Sequence, residues 1–273
     1  MNRIGQAFPA SIDLTFDPNA IARFVLCLGV GIELGFLIAD YLFALVSFNG
    51  IEEMQRIFDI TSQTNLASWF ANTQILFTSM TVFVLFFCAR KQTGYSLEST
   101  SWLIIALFLL FLTIDNALLI HQSISLSIWQ SQEGSDSMID GFPSHPWLIV
   151  FFPFYAAITL YIFYFLWTTL GDRLSRRLLG LSFICLGLAL GMGFIEGLEP
   201  EHEMNLYTWI GDNTEMDYWS LEQFDDNAFG MLHHFSQALA KILGMFSNTL
   251  LWFLAIRHIA KIVSSIKIHL PGA

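Results

Sequence analysis

Polar residues at helical spacing in the last apolar segment of the chain are the first sign of chemistry. Gln237, Lys241 and Asn248 follow His234 by 3, 7 and 14 residues. At about 100° per residue these positions nearly superimpose on one face of a helix. Charged side chains are costly in hydrocarbon and face a cavity, a bundle interior or a partner. The stripe therefore predicts a functional site inside this segment.

The elements that position this stripe are predicted to be membrane helices. Hydrophobic residues make up 55% of the chain and mean hydropathy is +0.57. Only 13% of residues are charged, against about 25% in soluble proteins. Six stretches are apolar and long enough to cross about 30 Å of hydrocarbon, at residues 20–48, 70–90, 102–124, 147–170, 178–198 and 229–260. We expect an all-α, six-helix transmembrane domain over 20–260, between an N-terminal segment 1–19 and a tail 261–273.

The distribution of Lys and Arg predicts the orientation of this bundle. Arg56 is the only basic residue in the loops that follow the first, third and fifth spans. Ten others lie at the termini or near the second and fourth loops: Arg3, Arg23, Arg90, Lys91, Arg173, Arg176, Arg177, Arg257, Lys261 and Lys267. Basic residues concentrate on the cytoplasmic side of membrane proteins. Both termini are therefore expected in the cytoplasm, with the chain in a bacterial cytoplasmic (inner) membrane.

Acidic residues concentrate on the opposite side. Fifteen of the 23 carboxylates fall in the three external loops, nine of them in 199–228. One interpretation is that Asp and Glu accumulate where Lys and Arg are excluded, since acidic residues contribute little to topology. The other is that the loop attracts cations or a basic membrane-protein partner.

Motif searches exclude several functional classes. The segment from Asp212 lacks the alternating oxygen ligands and the glycine of an EF-hand. The chain has no P-loop, HExxH, GxSxG or dinucleotide-binding motif, and no basic stripe for nucleic acid. Cys27, Cys88 and Cys185 fall inside predicted spans, so no disulfide framework is expected.

The polar residues inside the spans are expected to share one depth. The third span places Asp115 and His121 toward its external end, and the fifth places Glu196 there. The sixth span begins at the same level with His233 and His234. The other polar residues of this layer are Glu33, Asp40, Asn72, Gln74, Asn116, Gln122, Gln237 and, deeper, Lys241. Polar groups in one leaflet predict a shared cavity that opens outward.

This set suggests two kinds of chemistry. Imidazole and carboxylate ligands suit zinc, iron or manganese, so a divalent transition metal is one expected cofactor, with ligands from Asp115, His121, Glu196, His233 and His234. Asp115 and His121 are six residues apart, about 120° around a helix, so these ligands would come from separate helices. Without a metal, His121 or His234 would act as a general base. Asp115 and Lys241 would be the other catalytic residues. Alternatively, Lys241 has a structural role as the buried ion-pair partner of Asp115, Glu196 or Glu33.

Three functions remain open on the sequence alone. A metal-dependent or acid–base enzyme acting on a lipid or a small molecule needs one outward-facing pocket. A proton- or cation-coupled transporter needs a path to both faces, and a non-catalytic assembly subunit needs neither. Below Lys241 the sixth span offers Asn248 and His258 as candidates for such a path, which favours the one-sided pocket and therefore the enzyme.

Three short segments resemble a group of uncharacterised bacterial multi-pass membrane proteins. Residues 113–122 are similar to its Ser-hydrophobic-Asp-Glu-x4-His-Glu signature, residues 192–196 to its penultimate span, and residues 237–244 to its Glu-Glu-x-x-Glu-x-x-Gly segment. The resemblance carries over Asp115, His121 and Glu196. The group's other acids correspond here to Asn116, Gln122, Gln237, Ala238 and Lys241. The resemblance implies an intramembrane site and names no reaction.

Overall fold

The computed structural model confirms six long apolar helices. It describes residues 12–45, 57–61, 65–121, 123–124, 127, 147–196, 229–263 and 266–270. The helices are α1 Pro18–Asp40, α2 Leu66–Thr93, α3 Leu97–Leu118, α4 Trp147–Thr169, α5 Arg173–Glu196 and α6 Phe229–Ile262, and a π-helical turn Tyr41–Leu45 extends α1. Each has the length and composition to cross a membrane. The acidic loop 199–228 lies outside the described residues.

Short polar side chains fix where the first three helices begin. Asp17 caps α1 by accepting a hydrogen bond from the backbone N–H of Asn19, and Pro18 occupies the first turn. Asn65 caps α2, and Ser96 caps α3. Such side chains satisfy backbone N–H groups that have no partner within the helix. The helix starts are therefore encoded locally.

The third span ends earlier than the sequence predicts. The prediction extended it to residue 124, but α3 ends at Leu118, and Leu119 adopts the left-handed conformation with φ of 53°. The backbone N–H of His121 then donates to Asp115 Oδ1 at 3.0 Å. A side-chain acceptor at the helix end thus competes with continuation of the helix.

Helix α6 forms the centre of the bundle. It packs against α1, α2 and α5, and α2 packs against α3. The core lies between them and includes Leu85, Trp102, Leu179 and Leu254. Hydrogen bonds also cross the bundle; in one, Ser182 of α5 donates to the carbonyl of Ser247 in α6 at 3.0 Å. Long α6 therefore presents side chains to most of its neighbours at once.

A two-stranded sheet, which the sequence analysis did not predict, joins the segments that flank the bundle. Strand β1 Ile12–Phe16 pairs antiparallel with β2 Ile266–Leu270, with Leu14 opposite Ile268. Both strands alternate apolar and polar residues, as a strand with one packed face does. The pairing places the start of α1 and the end of α6 at the same end of the bundle, as an even number of spans requires.

Candidate functional site

The first polar cluster joins the end of α1 to the beginning of α6. Asp40, the last residue of α1, is 2% exposed. Its Oδ2 lies 2.9 Å from Nε2 of His234, and its Oδ1 accepts the backbone N–H of Ile60 at 2.8 Å. A buried carboxylate is tolerated only when its oxygens have partners. Asp40 thus holds His234 and the loop before α2 in fixed positions.

Asp59 brings a second carboxylate to the same place. Its Oδ1 accepts the backbone N–H of Thr61 at 2.9 Å, which closes a tight turn. Asn65, the cap of α2, donates from its side-chain amide to the carbonyl of Asp59. One ligand atom each from Asp40, Asp59 and His234 lies within 4.8 Å of the others. We call these three residues the α1–α6 site.

Lys241 adds a positive charge near the α1–α6 site. It lies on α6, seven residues after His234 and on the same face. Side chains in a helix tilt toward its N-terminus, which is the direction of His234. Asp59 and Asp40 both act on Lys241 electrostatically. The acidic neighbours of Lys241 therefore include two carboxylates that the sequence analysis did not pair with it.

The second polar cluster holds Asp115 and His121, which the sequence placed in one predicted site but not at the i, i+3 or i+4 spacing of a helical ligand pair. Because α3 ends at Leu118, the chain turns and brings Nδ1 of His121 to 3.0 Å from Asp115 Oδ2. Tyr155 of α4 donates to the same oxygen at 3.0 Å. An imidazole oriented by a carboxylate is the usual arrangement of a general base or of a metal-bound histidine.

The third polar cluster lies deeper, between α1, α2 and α6. Glu33 is 3% exposed and Gln74 1% exposed. Oε1 of Glu33 accepts hydrogen bonds from Gln74 Nε2 at 2.9 Å and from Thr249 Oγ1 at 2.6 Å. Gln74 Nε2 also donates to Thr249 Oγ1 at 2.7 Å. We call Glu33, Gln74 and Thr249 the Glu33 cluster.

The structure divides the predicted site residues between two places. It puts His234 and Lys241 at the α1–α6 site and pairs Asp115 with His121. Glu196 is the last residue of α5, and His233 belongs to α6. The side chains of these two residues lie outside the described part of the chain, as does Gln122.

Two of the three residues of the α1–α6 site, Asp40 and Asp59, were not among the metal ligands predicted from the sequence. Asp40 was placed in the polar layer but not in the metal set, although it lies seven residues after Glu33 on the same face of α1. Asp59 falls in a loop, where carboxylates are common and carry no periodic signal. Its Asp-x-Thr turn is a weak local signal. Proximity to His234 distinguishes both residues: Asp40 hydrogen-bonds it, and a ligand atom of Asp59 lies within 4.8 Å of one on His234.

Fold and site together define the class of this protein. It is an all-helical bundle with six helices long and apolar enough to span a membrane. Polar side chains meet in clusters between those helices, and His234 and Thr249 both extend from the central helix α6.

The chain belongs to the family described as Domain of unknown function (DUF8692), which matches residues 20–216. The matched region contains Asp40 and Asp59 of the α1–α6 site, whereas His234 on α6 lies beyond it. Comparisons with curated proteins and with solved structures find no match.

Proposed function

We propose that this protein is a membrane-embedded enzyme that binds a divalent transition metal at the α1–α6 site. The observation that carries the proposal is the convergence of Asp40, Asp59 and His234, with one ligand atom from each within 4.8 Å of the others. The three residues come from the end of α1, the turn before α2 and α6. Packing of separate elements, rather than a local motif, builds the set.

The donor types fit such an ion. Imidazole nitrogen with carboxylate oxygen suits zinc, iron or manganese, and two carboxylates neutralise a divalent charge. Three protein ligands leave a coordination position for water, as in catalytic zinc sites. An ion held by Asp40, Asp59 and His234 would lower the pKa of a bound water and so supply a nucleophile. Hydrolysis of a lipid or a small molecule follows as the reaction class, with Lys241 placed to attract an anionic group of the substrate.

The expected orientation puts this site in the outer leaflet. The α1–α6 site lies at the C-terminal end of α1, and the paired strands lie at the opposite end of that helix. If both termini are cytoplasmic, as the distribution of Lys and Arg favours, the site opens to the outside of a bacterial inner membrane. Reporter fusions in the loop 199–228 and at the C-terminus should then show opposite sides. Activity of both reporters on one side would contradict this topology.

Metal analysis of the purified full chain tests the proposal. In detergent, the wild type should retain close to one zinc, iron or manganese ion per chain after desalting. His234→Ala should lose it, whereas His258→Ala, which removes a buried histidine from the same helix, should retain it. Near-stoichiometric metal in both variants, or none in the wild type, would refute the proposal.

A second pair of variants separates the two carboxylate–histidine clusters. Asp59→Asn should abolish metal binding, since it removes a ligand without changing the size of the side chain. Asp115→Asn should leave metal binding intact, because Asp115 belongs to the other cluster. The reverse result would place the metal with Asp115 and His121.

The second cluster favours one alternative function, acid–base catalysis without a metal. Asp115 orients the imidazole of His121 and accepts a hydrogen bond from Tyr155. In this case, nuclear magnetic resonance of histidine-labelled protein should show an imidazole nitrogen signal of His121 that moves in Asp115→Asn and not in Asp40→Asn, because Asp115 is the hydrogen-bond partner of that ring. A His121 signal unchanged by Asp115→Asn would argue against the alternative.

A further inference from the structure

We propose that the Glu33 cluster is a binding site for one small monovalent cation, either a sodium ion or a proton. The site is separate from the α1–α6 site and does not depend on a metal there. It combines a buried carboxylate, a buried amide and a hydroxyl at the meeting point of α1, α2 and α6. Such a site would couple the bundle to a cation gradient or fix it in one conformation.

The donor groups of the cluster hydrogen-bond to its own members. A glutamine amide has two N–H donors and a threonine hydroxyl has one. Gln74 donates to Glu33 and to Thr249, and Thr249 donates to Glu33. Oε1 of Gln74 is buried and has no hydrogen-bond partner among the described residues. The cluster thus contains a buried acceptor without a partner among the described residues, on a side chain that hydrogen-bonds a buried carboxylate. A cation held there would neutralise the carboxylate and satisfy the acceptor.

Turning the Gln74 amide around leads to the same requirement. If the amide nitrogen and oxygen of Gln74 exchange places, Oε1 of Gln74 lies 2.9 Å from Oε1 of Glu33, the distance at which Nε2 lies in the present orientation. Two acceptor oxygens approach this closely when a proton or a shared cation lies between them, so this orientation also needs one positive charge beside Glu33. Either orientation of the amide therefore calls for one added positive charge.

The charge and the donor atoms point to a monovalent ion. Glu33 supplies one negative charge, which a single positive charge neutralises; uncompensated, that charge is costly in hydrocarbon. The atoms that would ligate the ion are carboxylate, amide and hydroxyl oxygens, which bind hard cations well. The cluster has no imidazole or thiolate, the ligands that favour transition metals. On α6, Lys241 lies between His234 and Thr249, so the two sites are separated along one helix.

Thermal unfolding in detergent tests the sodium form of the proposal. At constant ionic strength, with choline as the replacement cation, sodium at about a hundredfold above its dissociation constant should raise the Tm of the wild type by about 5–10 °C. Glu33→Gln should abolish this rise. Glu98→Gln, a change at an exposed glutamate in the first turn of α3, should retain it.

Infrared spectroscopy tests the proton form. If sodium has no effect on Tm, the wild type at neutral pH should show the C=O stretch of a protonated carboxyl group, absent from Glu33→Gln and present in Glu98→Gln. Should Glu33→Gln fail to fold, Thr249→Val, which removes the hydroxyl but keeps the shape, should weaken the sodium response or shift the band. Thr249→Ser should preserve it. A wild type with neither a sodium response nor a Glu33-dependent band would overturn the proposal.

Discussion

Gly29 of helix α1 faces Thr249 of the Glu33 cluster at close range, and its replacement tests the packing that supports the cluster. A Cβ atom at residue 29 would lie 2.6 Å from Oγ1 and 2.8 Å from Cγ2 of Thr249. Thr249 is β-branched and has a restricted χ1 angle, and its hydroxyl is hydrogen-bonded to Glu33 and Gln74. It cannot move away without breaking those bonds, so Gly29→Ala should push α1 and α6 apart.

Gly31 in the same helix supplies the control, since a Cβ atom there meets nothing within 4 Å. Replacing glycine by alanine within a helix stabilises it by roughly 0.5–1 kcal/mol, and this gain is common to both variants. Overpacking a buried contact costs about 1–3 kcal/mol. Gly29→Ala should therefore be about 1–3 kcal/mol less stable than Gly31→Ala.

The assay is reversible unfolding in mixed detergent micelles, followed by tryptophan fluorescence. In the Thr249→Ala background, adding Gly29→Ala should cost much less stability than Gly29→Ala costs in the wild type. The reason is that Thr249→Ala removes Oγ1 and Cγ2, the two atoms with which the new Cβ would clash. Coupling of about 0.5–3 kcal/mol is typical of residues in contact. Equal stability of Gly29→Ala and Gly31→Ala would refute the close approach of α1 to α6.

Two further predictions concern hydrogen-bonded carboxylates elsewhere in the bundle. Burial raises the pKa of Asp172, but hydrogen bonds from Lys261 and Ser175 lower it more, so its pKa lies well below the ordinary 3.8. The stabilisation by the ionised carboxylate is therefore complete above pH 3.8 and is lost as pH falls through the folded-state pKa. Asp172→Asn should lower Tm at neutral pH, and this deficit in Tm should shrink in acid. A deficit that does not depend on pH would contradict this assignment. Tyr155→Phe removes a hydrogen bond to Asp115 and should cost about 1.5–3 kcal/mol in the same unfolding assay, and an unchanged stability would show that the bond contributes nothing.

Local sequence determined much of the helical framework. Long apolar segments predict helices because hydrocarbon leaves backbone groups no partner outside the segment, and the six predicted spans correspond to α1–α6. The cap at Asp17 follows from side-chain chemistry within two residues. The early end of α3 was missed because Leu119 takes a left-handed conformation without being glycine, so no residue type marked the stop.

Sequence also placed polar groups on α6 but could not assign their partners. His234 and Asp40 are 194 residues apart in the chain, and Thr249 and Glu33 are 216 apart. Periodicity fixes which residues share a helix face, whereas the rotation and depth of each helix relative to its neighbours determine which faces meet. Those offsets come from packing contacts such as Gly29 against Thr249. Part of the polar layer was therefore readable from the chain alone, whereas tertiary packing added Asp59 and Thr249 and divided the layer into separate clusters.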